Sequence, residues 1–258
     1  MRVEIKPSVE TWDRFWLAEK NRPKKPNLFL IDAVKKVMGE SMEGKRILEV
    51  GCGTSREAIE LSRQGAEISI LDFSRPALDI LGRHADEGRV NLLSVQADAE
   101  ELPFTNCTFD LVYSQGLVEH FLPSDKLMRE QVRVVKPGGF VLVDVPQLFS
   151  LQAVTKGILM RIDRWPFGWE RNYSERQLRK LLGSFGLEPV AAYAYGYIPP
   201  INLSKEIIDS LREWGYKMTY KEEKQKVVLP YGGLKFRFQK TWLARHLLSC
   251  IGVVGRKA

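Results

Sequence analysis

The chain has 258 residues, 44% of them apolar and 28% charged, the proportions of a water-soluble folded protein rather than a disordered or membrane-embedded one. Its net charge of +7 is unevenly placed: residues 1–150 hold 20 Lys and Arg against 23 Asp and Glu, or −3, while residues 151–258 hold 19 against 9, or +10. Its three cysteines and three histidines are scattered, with no C-x-x-C pair, so neither a disulfide framework nor a metal centre is expected.

In chain order, Met1 to Lys6 lacks the apolar core of a signal peptide, and no later apolar run reaches the ~18–20 residues that span a bilayer. A cytoplasmic protein is expected. The stretch "TWDRFWLAEKNRPKK" puts Trp12, Phe15 and Trp16 on one face of a helix, which suits either a lid or plain core packing. Leu28, Ile31, Val34 and Val37 repeat at helical spacing, and that helix is expected to stop near Gly39.

"KRILEV" (Lys45 to Val50) reads as a first buried strand, "EISILDFS" as a second closed by Asp72, and "VNLLSVQAD" as a third ending at Asp98. The helices between them carry stop and start signals: Gly65 ends one, and Ser74 with Pro76 opens the next. "TFDLVYSQG" is a fourth strand and "SDKLMREQVRVV" a helix that "KPGG" (Lys136 to Gly139) is expected to stop. "FVLVDV" is a fifth strand, "YSERQLRKLLGSFG" a capped helix, "LEPVAAYAYGY" a sixth strand and "IGVVGRKA" a seventh. Strands alternating with helix-length patterns argue for an α/β fold, a doubly wound, mostly parallel sheet with helices on both faces.

The first strand runs into Gly51-Cys52-Gly53, a turn of the kind that offers free backbone N–H groups to a nucleotide. A dinucleotide fingerprint wants a third glycine where Arg56 stands, and here an acid, Glu49, precedes the turn. In an open parallel sheet, ligands bind beyond the strand ends near the point where strand order reverses. Glu49, Asp72 and Asp98 close three successive strands and are expected on that one rim, where carboxylates can accept ribose hydroxyls and an adenine amino group. Taken singly, each acid is equally a helix cap and the G-x-G a tight turn.

With these residues in hand, "LEVGCGTS", "LDFS", "QADAEELPFTNCTFDLVYSQGLVEHF" and "KPGGFVLVDVP", in that order, resemble the class I S-adenosylmethionine-dependent methyltransferases, in particular the ubiquinone/menaquinone biosynthesis branch. The resemblance covers roughly residues 45 to 146, and "YSERQLRKLLGSFGLEPV" and "VVGRKA" look like the family's closing elements. It implies a seven-stranded sheet and S-adenosylmethionine as cofactor, with S-adenosylhomocysteine as product. The implied cofactor contacts are Glu49, Gly51, Cys52, Gly53 and Thr54 around the methionine part and sugar, and Asp72 on the ribose hydroxyls. Phe73, Asp98 and Ala99 would surround the adenine, and Ser114 and Gln115 would sit nearest the sulfonium.

His120, just past the fourth strand in "SQGLVEHF", is the candidate general base, with Glu119 as a weaker second; the structural alternative is that His120 packs or caps. After the fifth strand, "QLFSLQAVTKGILMRIDRWPFGWERNY" reads as an apolar, aromatic loop. Trp165, Phe167, Trp169 and Tyr173, interleaved with Arg161, Arg164 and Arg171, would suit a flat or apolar acceptor bearing an acidic group. The same mixture suits a membrane surface, RNA or a homodimer interface.

Residues 1–44 are therefore expected to form an N-terminal helical segment or lid, residues 45–197 and 249–258 the cofactor-binding catalytic domain, and residues 198–248 an insertion serving as substrate cap or interface. The function expected is methyl transfer to a small-molecule or lipid-like acceptor. Two alternatives stand beside it: an RNA or protein methyltransferase, motivated by the basic C-terminal part, and a cofactor-binding regulator without catalysis. A nicotinamide dehydrogenase is disfavoured by Arg56 and the acids Asp72 and Asp98.

Overall fold

The computed structural model describes residues 5–19, 26–162, 164–196 and 248–258. The expected insertion, apart from Leu248, lies outside the described residues. Seven strands form one sheet: β1 (Arg46–Val50), β2 (Glu67–Asp72), β3 (Leu92–Gln96), β4 (Phe109–Gln115), β5 (Val135–Pro146), β6 (Leu187–Tyr195) and β7 (Cys250–Lys257). Their order across the sheet is β3-β2-β1-β4-β5-β7-β6. Only β7 runs antiparallel to its neighbours β5 and β6, so the sheet is mostly parallel, as expected. The order reverses between β1 and β4, which puts the ligand-binding crevice at their C-terminal ends.

Among the described residues seven α-helices accompany the strands: α1 (Val9–Glu19), α2 (Leu28–Met38), α3 (Glu57–Arg63), α4 (Arg75–Gly88), α5 (Asp125–Val134), α6 (Leu151–Arg161) and α7 (Glu175–Ser184). Alternation along each strand feeds two cores. Leu48, Val112 and Val143 join Leu127 and Met128 of α5 and Leu178 and Leu182 of α7 on one face. Ile47, Leu111 and Leu142 join Leu30 and Val34 of α2, Ile59 of α3 and Leu81 of α4 on the other. Strands this thoroughly buried read as continuous apolar runs, as they do in parallel sheets covered on both sides.

Three boundaries differ from the sequence reading. β3 ends at Gln96, so Asp98 lies in the loop beyond it. α5 ends at Val134, and "KPGG" belongs to β5, where the ladder with β4 shifts register. The presumed loop after β5 contains α6, begun by Ser150, whose side chain accepts a hydrogen bond from the Ala153 N–H at 3.1 Å. No helix among the described residues is long and apolar enough to cross a membrane.

Candidate functional site

At the switch point, the turn after β1 holds Gly51 at φ +69° and Gly53 at φ +50°, a left-handed conformation that favours glycine. The Gly51 and Cys52 N–H groups donate to the Leu71 carbonyl at 2.8 and 3.1 Å. Gly53 N–H donates to Asp72 Oδ2 at 2.8 Å, and Ser74 N–H donates to Asp72 Oδ1 at 2.9 Å. The Asp72 carboxylate thus ties the β1 and β2 turns together, and the cap of α4 is Ser74, not Asp72. Burial pushes the Asp72 carboxyl up, and the N–H bonds from Ser74 and Gly53 oppose that shift.

Glu49 is buried beneath the turn, where the Tyr113 hydroxyl donates to its Oε2 at 2.7 Å. Burial, reinforced by nearby Glu57, holds its carboxyl well above the ordinary range. Cys52 and Thr54 are buried within the turn, while Phe73 is half-buried on the rim. Asp98 is exposed; its Oδ1 accepts from the Glu100 N–H at 2.8 Å, and Ala99 packs into the core. The Ser114 hydroxyl donates to Gln131 Oε1 of α5 at 3.4 Å. Gln115 is half-buried, and its Nε2 donates to the Tyr195 hydroxyl at 2.9 Å.

Two elements cover this rim. From α1, the Trp16 ring lies so close to the turn that a Cβ on Gly53 would be 2.5 Å from it, and Asp13 accepts a hydrogen bond from the Ser74 hydroxyl at 2.6 Å. From the segment after α6, Phe167 packs against Phe15 and Trp12 with ring centroids 5.1 and 6.0 Å apart. Trp12 also meets the His120 ring edge-on at 5.1 Å. The aromatic face of α1 therefore joins the rim and the roof.

His120 lies in a single 3-10 turn, Val118–His120, directly after β4, and is buried. Its Nδ1 is 3.2 Å from the Trp169 carbonyl, which can only accept, so Nδ1 carries the hydrogen and Nε2 the lone pair. Burial lowers its pKa, Glu170 opposes that, and neutral imidazole results. Glu119 beside it is buried with its Oε2 unpartnered, and burial together with Glu170 pushes its carboxyl well up.

Of the expected acceptor contacts, Tyr173 instead belongs to the core, bonded through its backbone to Pro146 and Leu148. Trp165 donates from Nε1 to Glu170 Oε1 at 2.9 Å, and Trp169 meets His120 through its carbonyl. Arg161, Arg164 and Arg171 are exposed.

Residues 48–143 match the family described as a methyltransferase domain. The chain is 36% identical over 117 residues to a ubiquinone biosynthesis O-methyltransferase of Alkalilimnicola ehrlichii, covering 45% of this chain and 47% of that one. It is 30% identical over 152 residues to one of Rhizobium etli, covering 57% and 61%. The chain thus spans about half to three fifths of the length of these curated relatives. Residues 48–143 are a methyltransferase domain. A solved structure of a proposed sarcosine dimethylglycine methyltransferase from Galdieria sulphuraria shares the fold, with a TM-score of 0.64, 17% identity, and 96% of this chain and 98% of that one covered.

The cofactor of the methyltransferase domain is S-adenosylmethionine, and the residues present fit it. Each Asp72 oxygen accepts one N–H and keeps a lone pair for a ribose hydroxyl. The structure also brings to this region residues that the sequence reading does not single out. Asp144, at the end of β5, accepts from the hydroxyls of Tyr193 at 2.6 Å and Tyr195 at 3.0 Å, and so anchors the Tyr195 that holds Gln115. Lys156 of α6, 2% exposed, pairs with Glu170 at 2.6 Å. A lysine in a helix and an acid in an aromatic loop carry no sequence signal that they meet; the apolar setting of both was the one available hint.

Proposed function

We propose that the chain is an S-adenosylmethionine-dependent methyltransferase that methylates an oxygen of a small aromatic or lipid-like acceptor, with His120 as the general base. The observation that carries this reading is a buried histidine directly after β4 whose Nδ1 meets the Trp169 carbonyl at 3.2 Å, which leaves Nε2 as the accepting nitrogen of the ring. The relatives' name as O-methyltransferases supports oxygen as the accepting atom. Trp12, Phe15 and Phe167 enclose the approach to His120 and suit a flat or apolar acceptor.

When bound, the cofactor would supply a methyl group carried on a positively charged sulfur, and the protein's part would be to hold the acceptor in line with it. Asp72 and the Gly51–Gly53 turn hold the nucleoside, and Gln115, fixed by Tyr195, borders the reacting end. His120 takes the acceptor hydroxyl proton at Nε2. The resulting imidazolium lies 3.9 Å from Glu170 Oε1, which stabilises it. The α1 and roof rings exclude water from the reaction.

The test is a methyl-transfer assay with radiolabelled S-adenosylmethionine against a panel of hydroxylated aromatic acceptors, with and without a long apolar chain. Transfer to a hydroxyl, reduced about 100-fold or more in His120→Ala near neutral pH, is expected for loss of a general base. Turnover unaffected by that substitution would remove His120 from the mechanism.

A further inference from the structure

The base proposed above stands next to a buried ion pair that the cofactor site does not need. Glu170 Oε2 accepts from Lys156 Nζ at 2.6 Å, Glu170 Oε1 accepts from Trp165 Nε1 at 2.9 Å, and Glu170 Oε1 is 3.9 Å from His120 Nε2. The side chains of Lys156, Glu170 and His120 are 2%, 7% and 5% exposed. Burying a lysine this completely is costly unless it is paired and does something there.

We propose that Lys156 and Glu170 are positioning residues that set the charge state of His120: Lys156 neutralises Glu170 in the resting enzyme, leaving the imidazole neutral and able to accept a proton. This rests on His120 being the base. An unpaired carboxylate 3.9 Å from Nε2 would instead draw a proton onto the ring and spend the base before any acceptor arrives. With Lys156 in place the carboxylate is shared, so it can stabilise the imidazolium once formed without forming it in advance. Trp165 fixes the second oxygen, and the Trp169 carbonyl fixes the tautomer from the other side of the ring. The roof residues Trp165 to Glu170 and helix α6 thus complete the base.

Charged groups face His120 from two elements besides its own. Lys156 comes from α6 and Glu170 from the roof. Glu119 precedes His120 in the chain, and burial together with Glu170 pushes its carboxyl well up. From α1 the ring meets the uncharged Trp12, while Asp13 accepts from the Ser74 hydroxyl. The lowered pKa of His120, led by burial with Glu170 opposing and Lys156 assisting, agrees with this balance.

The experiment is an imidazole NMR titration of the full chain saturated with S-adenosylhomocysteine, in which His120 is one of three histidines and is assigned by loss of its signal in His120→Gln. Lys156→Met is expected to raise the His120 midpoint by ~1 pH unit or more, and Glu170→Gln to lower it. The double variant should follow Glu170→Gln. Mere loosening of the roof would move both single variants the same way, toward a free imidazole. Equal shifts, or none, overturn the proposal. If Lys156→Met does not fold, Glu170→Gln decides alone, because an unchanged or raised midpoint there overturns it too. S-adenosylhomocysteine binding, measured first by calorimetry, separates this outcome from failure of the methyltransferase reading.

Discussion

Asp144 offers a test that needs no substrate. Its carboxyl is buried at the end of β5 beneath two phenols, and burial lifts its pKa from the ordinary 3.8 to about 7 despite the bonds from Tyr193 and Tyr195. Between those two values the folded chain holds a proton that the unfolded chain has released. Stability therefore declines as pH rises through this interval, and the contribution is fullest below about pH 4. At about 1.4 kcal/mol per pH unit, the difference between 3.8 and about 7 corresponds to about 4 kcal/mol, an upper figure that structural relaxation reduces.

Asp144→Asn keeps the shape and removes the titration: its carbonyl accepts from one phenol, and its amide donates to the other. Urea unfolding of wild type and variant at about pH 5 and pH 8 is the assay, at pH values on either side of the raised one. The variant should lose little or be slightly less stable at the lower pH and gain on the wild type by ~2–4 kcal/mol at the higher. A stability gap that stays constant within ~0.5 kcal/mol would refute the reasoning.

Other substitutions probe the supports of the site. Gly252→Ala would set a Cβ 2.2 Å from the Tyr193 ring, against a side chain pinned by Asp144, so a loss of ~1–3 kcal/mol is expected in thermal or urea unfolding. Tyr113→Phe removes the hydroxyl that donates to Glu49 and should cost ~1–3 kcal/mol in the same assay, with little change in side-chain volume. Gly53→Ala combines a φ of +50° with contact against Trp16, so it should lower stability by about 1 kcal/mol and weaken S-adenosylhomocysteine binding in calorimetry.

The strands and their closing acids were legible because a parallel strand buried on both faces must be a short apolar run, and Glu49 and Asp72 interrupt such runs at their ends. The capped helix after the roof was legible for the same kind of local reason, and Ser174 and Gln177 form a full capping box there. Helix α6 was hidden by its content. Val154, Thr155 and Gly157 all weaken helix propensity, and tertiary context outweighed them.

The contacts that shape the base and the Gln115 anchor were out of reach for a different reason. Gln115 and Tyr195 are 80 positions apart, and Asp144 and Tyr193 are 49 apart, so only the closed sheet brings them together. The partner of the Ser114 hydroxyl follows from parity. Side chains alternate along β4, and this one falls on the α5 side with Val112.

Every role proposed above depends on an adenosyl cofactor held by Asp72, the acid at the end of β2. Calorimetric titration of wild type and Asp72→Ala with S-adenosylmethionine, S-adenosylhomocysteine and NAD tests it most directly. Binding of both adenosyl ligands, no binding of NAD, and loss of the former in Asp72→Ala with the fold intact is the result predicted. A well-folded wild type that ignores the adenosyl ligands or prefers NAD would contradict it.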